Sequence, residues 1–310
     1  MEWIMIINFE RDQQIVQIGD VEFGGQPGEL PTVLIGSLFY QGQKILEDPI
    51  KGIFAKSKAE ELINTQEELS EQTGIPHCVD VVGETPEAII RALEFVAETT
   101  EAPLLIGGVN KITRLAGASY VKDVGLESRA VYNTLGGDAT DEEIKGIREI
   151  GIKSGILLAY SIHHLYPKDK VKLLLGSEKE PGLLDTANQA GFENILVDTA
   201  VIDMPGVVLA TEAIYWVKKE IGIPTGTAPT NSIDNWTRIK EFTFGSTVCY
   251  PGISIFAQTM GADFIFYGAI ERAPKIFPAC AMTDALIAYR ARTINRIRPK
   301  TKEHPLYKIF

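Results

Sequence analysis

One periodicity constrains this chain more than any single motif. A short apolar run rich in Val, Ile and Leu, a polar or Gly/Pro cluster and an amphipathic stretch follow one another eight times. The apolar runs fall at 32–35, 78–82, 104–106, 130–132, 155–159, 195–197, 225–228 and 264–267, and read as strands. The stretches between them, at 56–73, 86–99, 112–124, 141–150, 168–190, 205–221, 236–242 with 253–260, and 281–297, read as helices. Gly74, Gly125, Gly151, Gly191, Gly222 and Gly261 each stand where a left-handed residue would end a helix. Strands that are apolar throughout are buried on both faces, as parallel strands are. Eight strand–helix units therefore predict an α/β fold, a closed (β/α)8 TIM barrel, which takes about 250 residues. The rival, a doubly wound sheet, is disfavoured because no G-x-G-x-x-G turn follows the first strand and no G-x-x-x-x-G-K-[ST] loop occurs. Residues 1–310 then make a single domain, with an N-terminal β-hairpin and lead-in over 1–30, its arms at 4–9 and 15–18, and a basic tail over 298–310.

Charge narrows the function classes. The net charge of −11 argues against a nucleic-acid or anionic-membrane binder, which needs a basic surface to displace counterions. Seven basic residues and one acid lie between Arg290 and Phe310, so the tail carries +6 and the body −17. The tail is expected to complement the C-terminal dipole of the last helix. Cys78, Cys249 and Cys280 are odd in number, far apart and without a C-x-x-C pair, which points to a reducing cytoplasm and to no cysteine zinc site. The apolar start lacks a basic n-region, so no export signal is read, and no run approaches the roughly 18 apolar residues of a membrane span.

In such a barrel the working residues sit at the C-terminal strand ends and in the loops after them. That rule selects Asp80 and Glu84 after strand two, Asn110 after three, Asn133 after four, and Ser161, His163 and His164 after five. It adds Asp198 and Asp203 after six, Asn231 and Asp234 after seven, and Glu271 after eight. The set is rich in amides and carboxylates and poor in nucleophiles, with no G-x-S-x-G elbow, so covalent acyl chemistry is not expected. Lys111 and Lys275 follow loop turns and do not end a strand, which disfavours a Schiff-base aldolase. Adjacent His163 and His164 point in different directions and do not converge on one metal. A ring of Asn and Asp in an apolar mouth suits a flat heteroaromatic ligand, because a carboxylate accepts two N–H bonds from an amino-pyrimidine edge.

Several segments carry a family likeness. Val79-Asp80-Val81-Val82-Gly83-Glu84-Thr85 resembles the D-x-G-G-E-S/T strand-two signature of pterin-binding barrels such as dihydropteroate synthase. Gly24-Gly25-Gln26-Pro27-Gly28-Glu29, Pro31-Thr32-Val33-Leu34-Ile35-Gly36-Ser37, Asn64-Thr65-Gln66 and Val82-Gly83-Glu84-Thr85-Pro86-Glu87-Ala88 together resemble the MtrH subunit of tetrahydromethanopterin S-methyltransferase. Within that family the likeness is to soluble members that carry methyl from methylcobalamin to tetrahydrofolate in glycine betaine demethylation.

The resemblance implies an enzyme that moves a methyl group between a corrinoid cobalt and N5 of a tetrahydropterin, and a homodimer. Under it, Asp198 holds the pyrimidine edge of the pterin, Asn110 inherits a pterin-contacting Asn, and Asn231 takes the place of the strand-seven Asn near N5. Asp80, Glu84 and Asn133 complete the pterin-binding set. Tetrahydrofolate and methylcobalamin/cob(I)alamin are the implied reactants. No histidine has Asp two places before it, so the D-x-H-x-x-G cobalt-ligating motif is absent and the corrinoid comes free or on a partner protein. No zinc ligand set is read. Two departures stand out: Gly107-Gly108 stands where the strand-three L-D-S-T-N segment of folate:corrinoid methyltransferases has Asp-Ser, and Val82-Gly83 stands where the strand-two synthase signature has Gly-Gly. Plainer readings compete: Asp80, Asp198, Asn110, Asp141 and Asp234 as helix caps, and Glu84 as a partner of a helix dipole. Two other functions stay open. One is a dihydropteroate-synthase-like enzyme, which needs a basic pocket from Lys111, Arg114, Arg272 and Lys275. The other is a noncatalytic protein that only binds a pterin or corrinoid within a methyltransferase complex.

Overall fold

The computed structural model describes residues 7–310. Eight parallel strands close into a barrel: β1 (Val33–Leu38), β2 (His77–Gly83), β3 (Leu104–Gly108), β4 (Ala130–Leu135), β5 (Ser154–Leu158), β6 (Asn194–Asp198), β7 (Thr225–Thr227) and β8 (Phe264–Ala269). They pair in chain order, and β8 closes on β1 with Ile265 opposite Leu34. The eight apolar runs of the sequence are these strands, each shifted by a few residues at most.

Helices α1 (Lys56–Thr73), α2 (Pro86–Thr99), α3 (Lys111–Asp123) and α4 (Asp141–Ile150) follow the first four strands. After β5 the expected single helix is two, α5 (Pro167–Leu175) and α6 (Leu183–Ala190). The break lies where Gly176 takes φ 71 with ψ −158, a conformation open to glycine, and Pro181-Gly182 restarts the chain. Helix α7 (Gly206–Glu220) precedes β7, and α8 (Thr230–Asp234) and α9 (Gly245–Thr259) lie between β7 and β8. The last long helix, α10 (Ala273–Arg290), begins eight residues before the expected 281, with a proline in its first turn. All six glycines assigned to helix ends have positive φ.

The N-terminal hairpin forms one strand later than expected. Ile15–Ile18 pairs antiparallel with Val21–Gly24 across a two-residue turn whose first position, Gly19, has φ 55, as such turns require. Of the expected first arm, residues 4–6 lie outside the described residues and the remainder is not strand. The hairpin plugs the N-terminal end of the barrel. Ile18 and Phe23 are fully buried against Val33, Ile35, Cys78, Leu105, Val131, Ile156, Leu196 and Phe264. Each such side chain contributes roughly 1.5–3 kcal/mol by leaving water.

The G-G-Q-P-G-E segment works at this same end. The Gln26 side chain accepts from Phe9 N–H at 3.0 Å and donates to its carbonyl at 2.8 Å, and Glu29 accepts from Gln26 N–H. Gln66 of α1 bonds Tyr267 behind β1, where any side chain at Gly36 would intrude. Gln26, Glu29, Gly36 and Gln66 of the family-like segments therefore serve the fold. Of the basic stretch from Arg290 onward, Arg290 stands in the last turn of α10 as expected, whereas Lys308 donates to the Glu71 carbonyl in the last turn of α1 and Lys300 pairs with Glu22 of the hairpin. The tail continues into α11 (Pro305–Lys308), capped by His304 Nδ1.

Candidate active site at the barrel mouth

Inward-facing residues alternate along each strand, so layers can be counted from the plug. Cys78, Val131 and Leu196 belong to the apolar interior layer. Two residues further along the same strands stand Asp80, Asn133 and Asp198, which turn the next layer polar. Strands β2 and β6 are four places apart in a ring of eight, so Asp80 and Asp198 stand on opposite walls.

On the first wall the Asp80 carboxylate accepts from Ser37 Oγ at 2.8 Å and from Asn133 Nδ2 at 2.9 Å. Burial raises its pKa, and those two bonds pull it back. Ser37 was not foreseen, although it ends β1 as Asp80 lies on β2. The space for this carboxylate comes from glycine. A β-carbon at Gly107 would lie 2.6 Å from Asp80 Oδ1 and 3.0 Å from the Val81 carbonyl. The replacement of an Asp by Gly107 is thus matched by Asp80, whose carboxylate fills the place next to it.

On the second wall Asp198 Oδ1 accepts from Ala200 N–H at 2.8 Å. Burial pushes its pKa up to about 6, and that N–H, the Lys170 charge and the Thr227 hydroxyl act against the rise. Lys170 of α5 is 3 % exposed, and its ammonium donates to the carbonyls of Ala159 and Ala200, each at 3.3 Å, and of Thr199. Nothing in the sequence marks it: a lysine in the first turn of an amphipathic helix reads as a solvated residue.

The remaining candidates lie further out. Asn110 is exposed and its Oδ1 accepts from Thr113 N–H at 3.0 Å, which makes it the N-cap of α3. Asn231 lies in α8, exposed and without a side-chain hydrogen bond among the described residues. Glu84 is half-buried on the loop before α2, whose cap is Thr85. Asp203 caps α7 through Gly206 N–H at 2.7 Å. Two expected caps are otherwise engaged. Thr140 caps α4 with Asp141 one position inside, and Asp234 ends α8, bonded to Arg272 at 2.7 Å and to Tyr250 at 2.5 Å. Glu271 accepts from Gln43 at 3.0 Å. His163 and His164 lie on the β5–α5 loop, while His77 opens β2 at the plugged end, where burial lowers its pKa to about 4.

The four cations that a diphosphate pocket would need are spoken for or scattered. Arg114 pairs with Glu143 at 2.7 Å, Arg272 with Asp234, Lys111 donates to Thr140 at 2.9 Å and Lys275 reaches Thr247. Among the described residues no group of three or more His, Cys, Asp or Glu side chains could hold a metal, and no helix is long and apolar enough to cross a membrane.

The fold has relatives of known structure: the dihydropteroate synthase of Yersinia pestis superposes with a TM-score of 0.55 at 11% identity, covering 88% of this chain and 98% of that one. Sequence relatives are nearer. The chain is 37% identical to the H subunit of tetrahydromethanopterin S-methyltransferase from Methanothermobacter thermautotrophicus, over 98% of this chain and 100% of that protein. It is 36% identical to the H subunit of a putative methyltransferase, mtx, from Methanosarcina barkeri, over 97% and 99%. Residues 11–297 match the family model of the tetrahydromethanopterin S-methyltransferase MtrH subunit, and with barrel and sequence agreeing over nearly the whole length, the chain belongs to that family.

Proposed function

We propose that this methyltransferase-family chain transfers a methyl group between a corrinoid cobalt and N5 of a tetrahydropterin, from methylcobalamin to tetrahydrofolate in the forward sense. The observation that carries the reading is the polar layer of Asp80, Asn133 and Asp198 on an otherwise apolar barrel interior. Its residues fit the pterin. Asp198 has used one lone pair on Ala200 N–H and keeps others for the N–H donors of an amino-pyrimidine edge, each charge-assisted bond being worth about 1.5–3 kcal/mol. Asp80 and Asn133 hold one another on the far wall and offer an acceptor and a carbonyl to the other ring edge.

When bound, the corrinoid supplies a methyl group open to in-line attack by a nitrogen lone pair. That displacement needs no strong base at N5, only a group that tolerates N5 unprotonated as nucleophile and protonated as leaving group. An Asn can donate in one state and accept in the other, the role assigned to Asn231; Glu84 and Asn110 line the approach. Positioning and exclusion of water then supply the catalysis, roughly 7–11 kcal/mol in favourable cases. No histidine stands in a cobalt-ligating motif, so the corrinoid arrives free or on a corrinoid protein, in the cytoplasm, at a homodimer of this chain.

The experiment is anaerobic: purified protein, free methylcobalamin and tetrahydrofolate in one cuvette, with the cob(I)alamin absorption band as readout. Its appearance supports both methyl transfer and the folate. Activity with tetrahydromethanopterin alone would reassign the pterin to the one named for the relatives. Pterin binding without turnover, even with a corrinoid protein added, would overturn the enzyme and leave a binding protein.

A further inference from the structure

Lys170 is a buried cation with no carboxylate in direct contact among the described residues, a costly arrangement unless it does something for its surroundings. Its three N–H donors go to three carbonyls on two neighbouring strand ends: Ala159 after β5, Thr199 and Ala200 after β6. Between those carbonyls lies Asp198. The Asp198 carbonyl accepts from Ala159 N–H at 2.8 Å, and its carboxylate accepts from Ala200 N–H. Ala200 itself is held at φ 55, a left-handed conformation that a residue with a β-carbon avoids unless its surroundings impose it.

We propose that Lys170 is a positioning residue for Asp198: its ammonium clamps the β5 and β6 ends so that Ala200 N–H meets the carboxylate, and its charge keeps that buried carboxylate ionised and ready to accept N–H donors. The inference rests on the pterin reading for its ligand, though not for its electrostatics. The charged surroundings are few. Lys170 comes from α5; Asp203, before α7, lines the same pocket of about 290 Å³ but is turned to Gly206 N–H. Strands β5 and β7 present Leu158 and Thr227, and Asp80 belongs to the opposite wall. Burial, opposed by the Asp198 charge, lowers the Lys170 pKa to about 8, so the cation persists through neutral pH, while it holds the Asp198 value down against burial.

The test is tetrahydrofolate binding by anaerobic calorimetry between pH 5.5 and 9 for the parent, Lys170→Gln and Lys170→Arg. Lys170→Gln keeps donors for the carbonyls and removes the charge. Its affinity should be about tenfold weaker than the parent's at pH 7 and return to within a few-fold at pH 9, with the midpoint displaced upward by about two pH units. Lys170→Arg, which restores the charge, should track the parent. A Lys170→Gln profile parallel to the parent's at every pH would overturn the electrostatic role and leave only a structural one. If the parent binds no pterin at all, the pterin reading fails while the inference is still tested: the pH midpoint at which Asp198→Asn alters urea stability should move upward in the Lys170→Gln background. An unmoved midpoint refutes it.

Discussion

The two ends of the barrel bury the same kinds of residue and use them differently. At the plugged end Asp263 meets Lys218 directly; the lysine is 1 % exposed and also donates to the Gly25 carbonyl, and Asp263 accepts from Thr225 N–H at 2.8 Å. Asp284, nearby, accepts from Thr32 N–H at 2.7 Å, Thr32 Oγ1 at 3.0 Å and Gln258 at 2.9 Å. At the mouth Asp198 has one backbone bond, the buried Thr227 hydroxyl beside it and a cation that faces carbonyls and not the carboxylate. Charge whose lone pairs are taken up by fixed donors holds local geometry, whereas charge left with free lone pairs is capacity for a ligand. The difference separates a foundation from a site without any appeal to ligand.

The largest effect should come from breaking the foundation. Lys218→Met leaves the Asp263 carboxylate buried and unpaired, and is expected to cost about 3–5 kcal/mol in urea unfolding. A loss below about 1 kcal/mol would put the two ends on the same footing. At the mouth the test is removal of the carboxylate charge itself. Asp198 has its pKa raised from 3.8 to about 6, so the folded state holds its proton more tightly than the unfolded one, and stability falls as pH rises through that window. Asp198→Asn removes the penalty: it should be the more stable protein at pH 7.5, by on the order of 2–3 kcal/mol, and equal to the parent by about pH 4. A variant less stable than the parent at pH 7.5 would make Asp198 part of the foundation. Asp198→Ala should weaken pterin binding tenfold or more, about 1.5–3 kcal/mol for a charge-assisted bond, and unchanged affinity in calorimetry would remove Asp198 from the site.

The same contrast explains what could be read in advance. Strand positions were legible because parallel barrel strands are buried on both faces and write themselves as apolar runs, such as Leu104 to Ile106 within β3. Helix ends were legible because a left-handed stop leaves a glycine, as at Gly74 and Gly151. The hairpin was misplaced because Ile15 to Ile18 fits either arm, and only the Gly19-Asp20 turn decides which. Of the site, Asp80, Asn133 and Asp198 were legible from strand-end position, a local property. Lys170 and Ser37 were not, because their roles depend on which strand ends lie side by side. The capping of α3 by Asn110 was legible only as one of two readings, since N-cap and ligand-binding Asn share one local sequence.

The smallest effect probes how the mouth makes room for charge. Gly107 and Asp80 belong to adjacent strands, and the carboxylate occupies the space that a methyl group at 107 would need. Gly107→Ala should therefore cost about 1–2 kcal/mol, because a buried carboxylate bonded to Ser37 and Asn133 cannot swing aside as a free surface chain would. Asp80→Ala empties that space and orphans its two donors. In the double variant the alanine at 107 meets no carboxylate, so its own cost should vanish, a coupling within the 0.5–3 kcal/mol range of directly touching residues. Strictly additive losses in urea unfolding would mean that the strain at 107 comes from the Val81 carbonyl instead, and that Gly107 serves the backbone of the barrel and not the charge at its mouth.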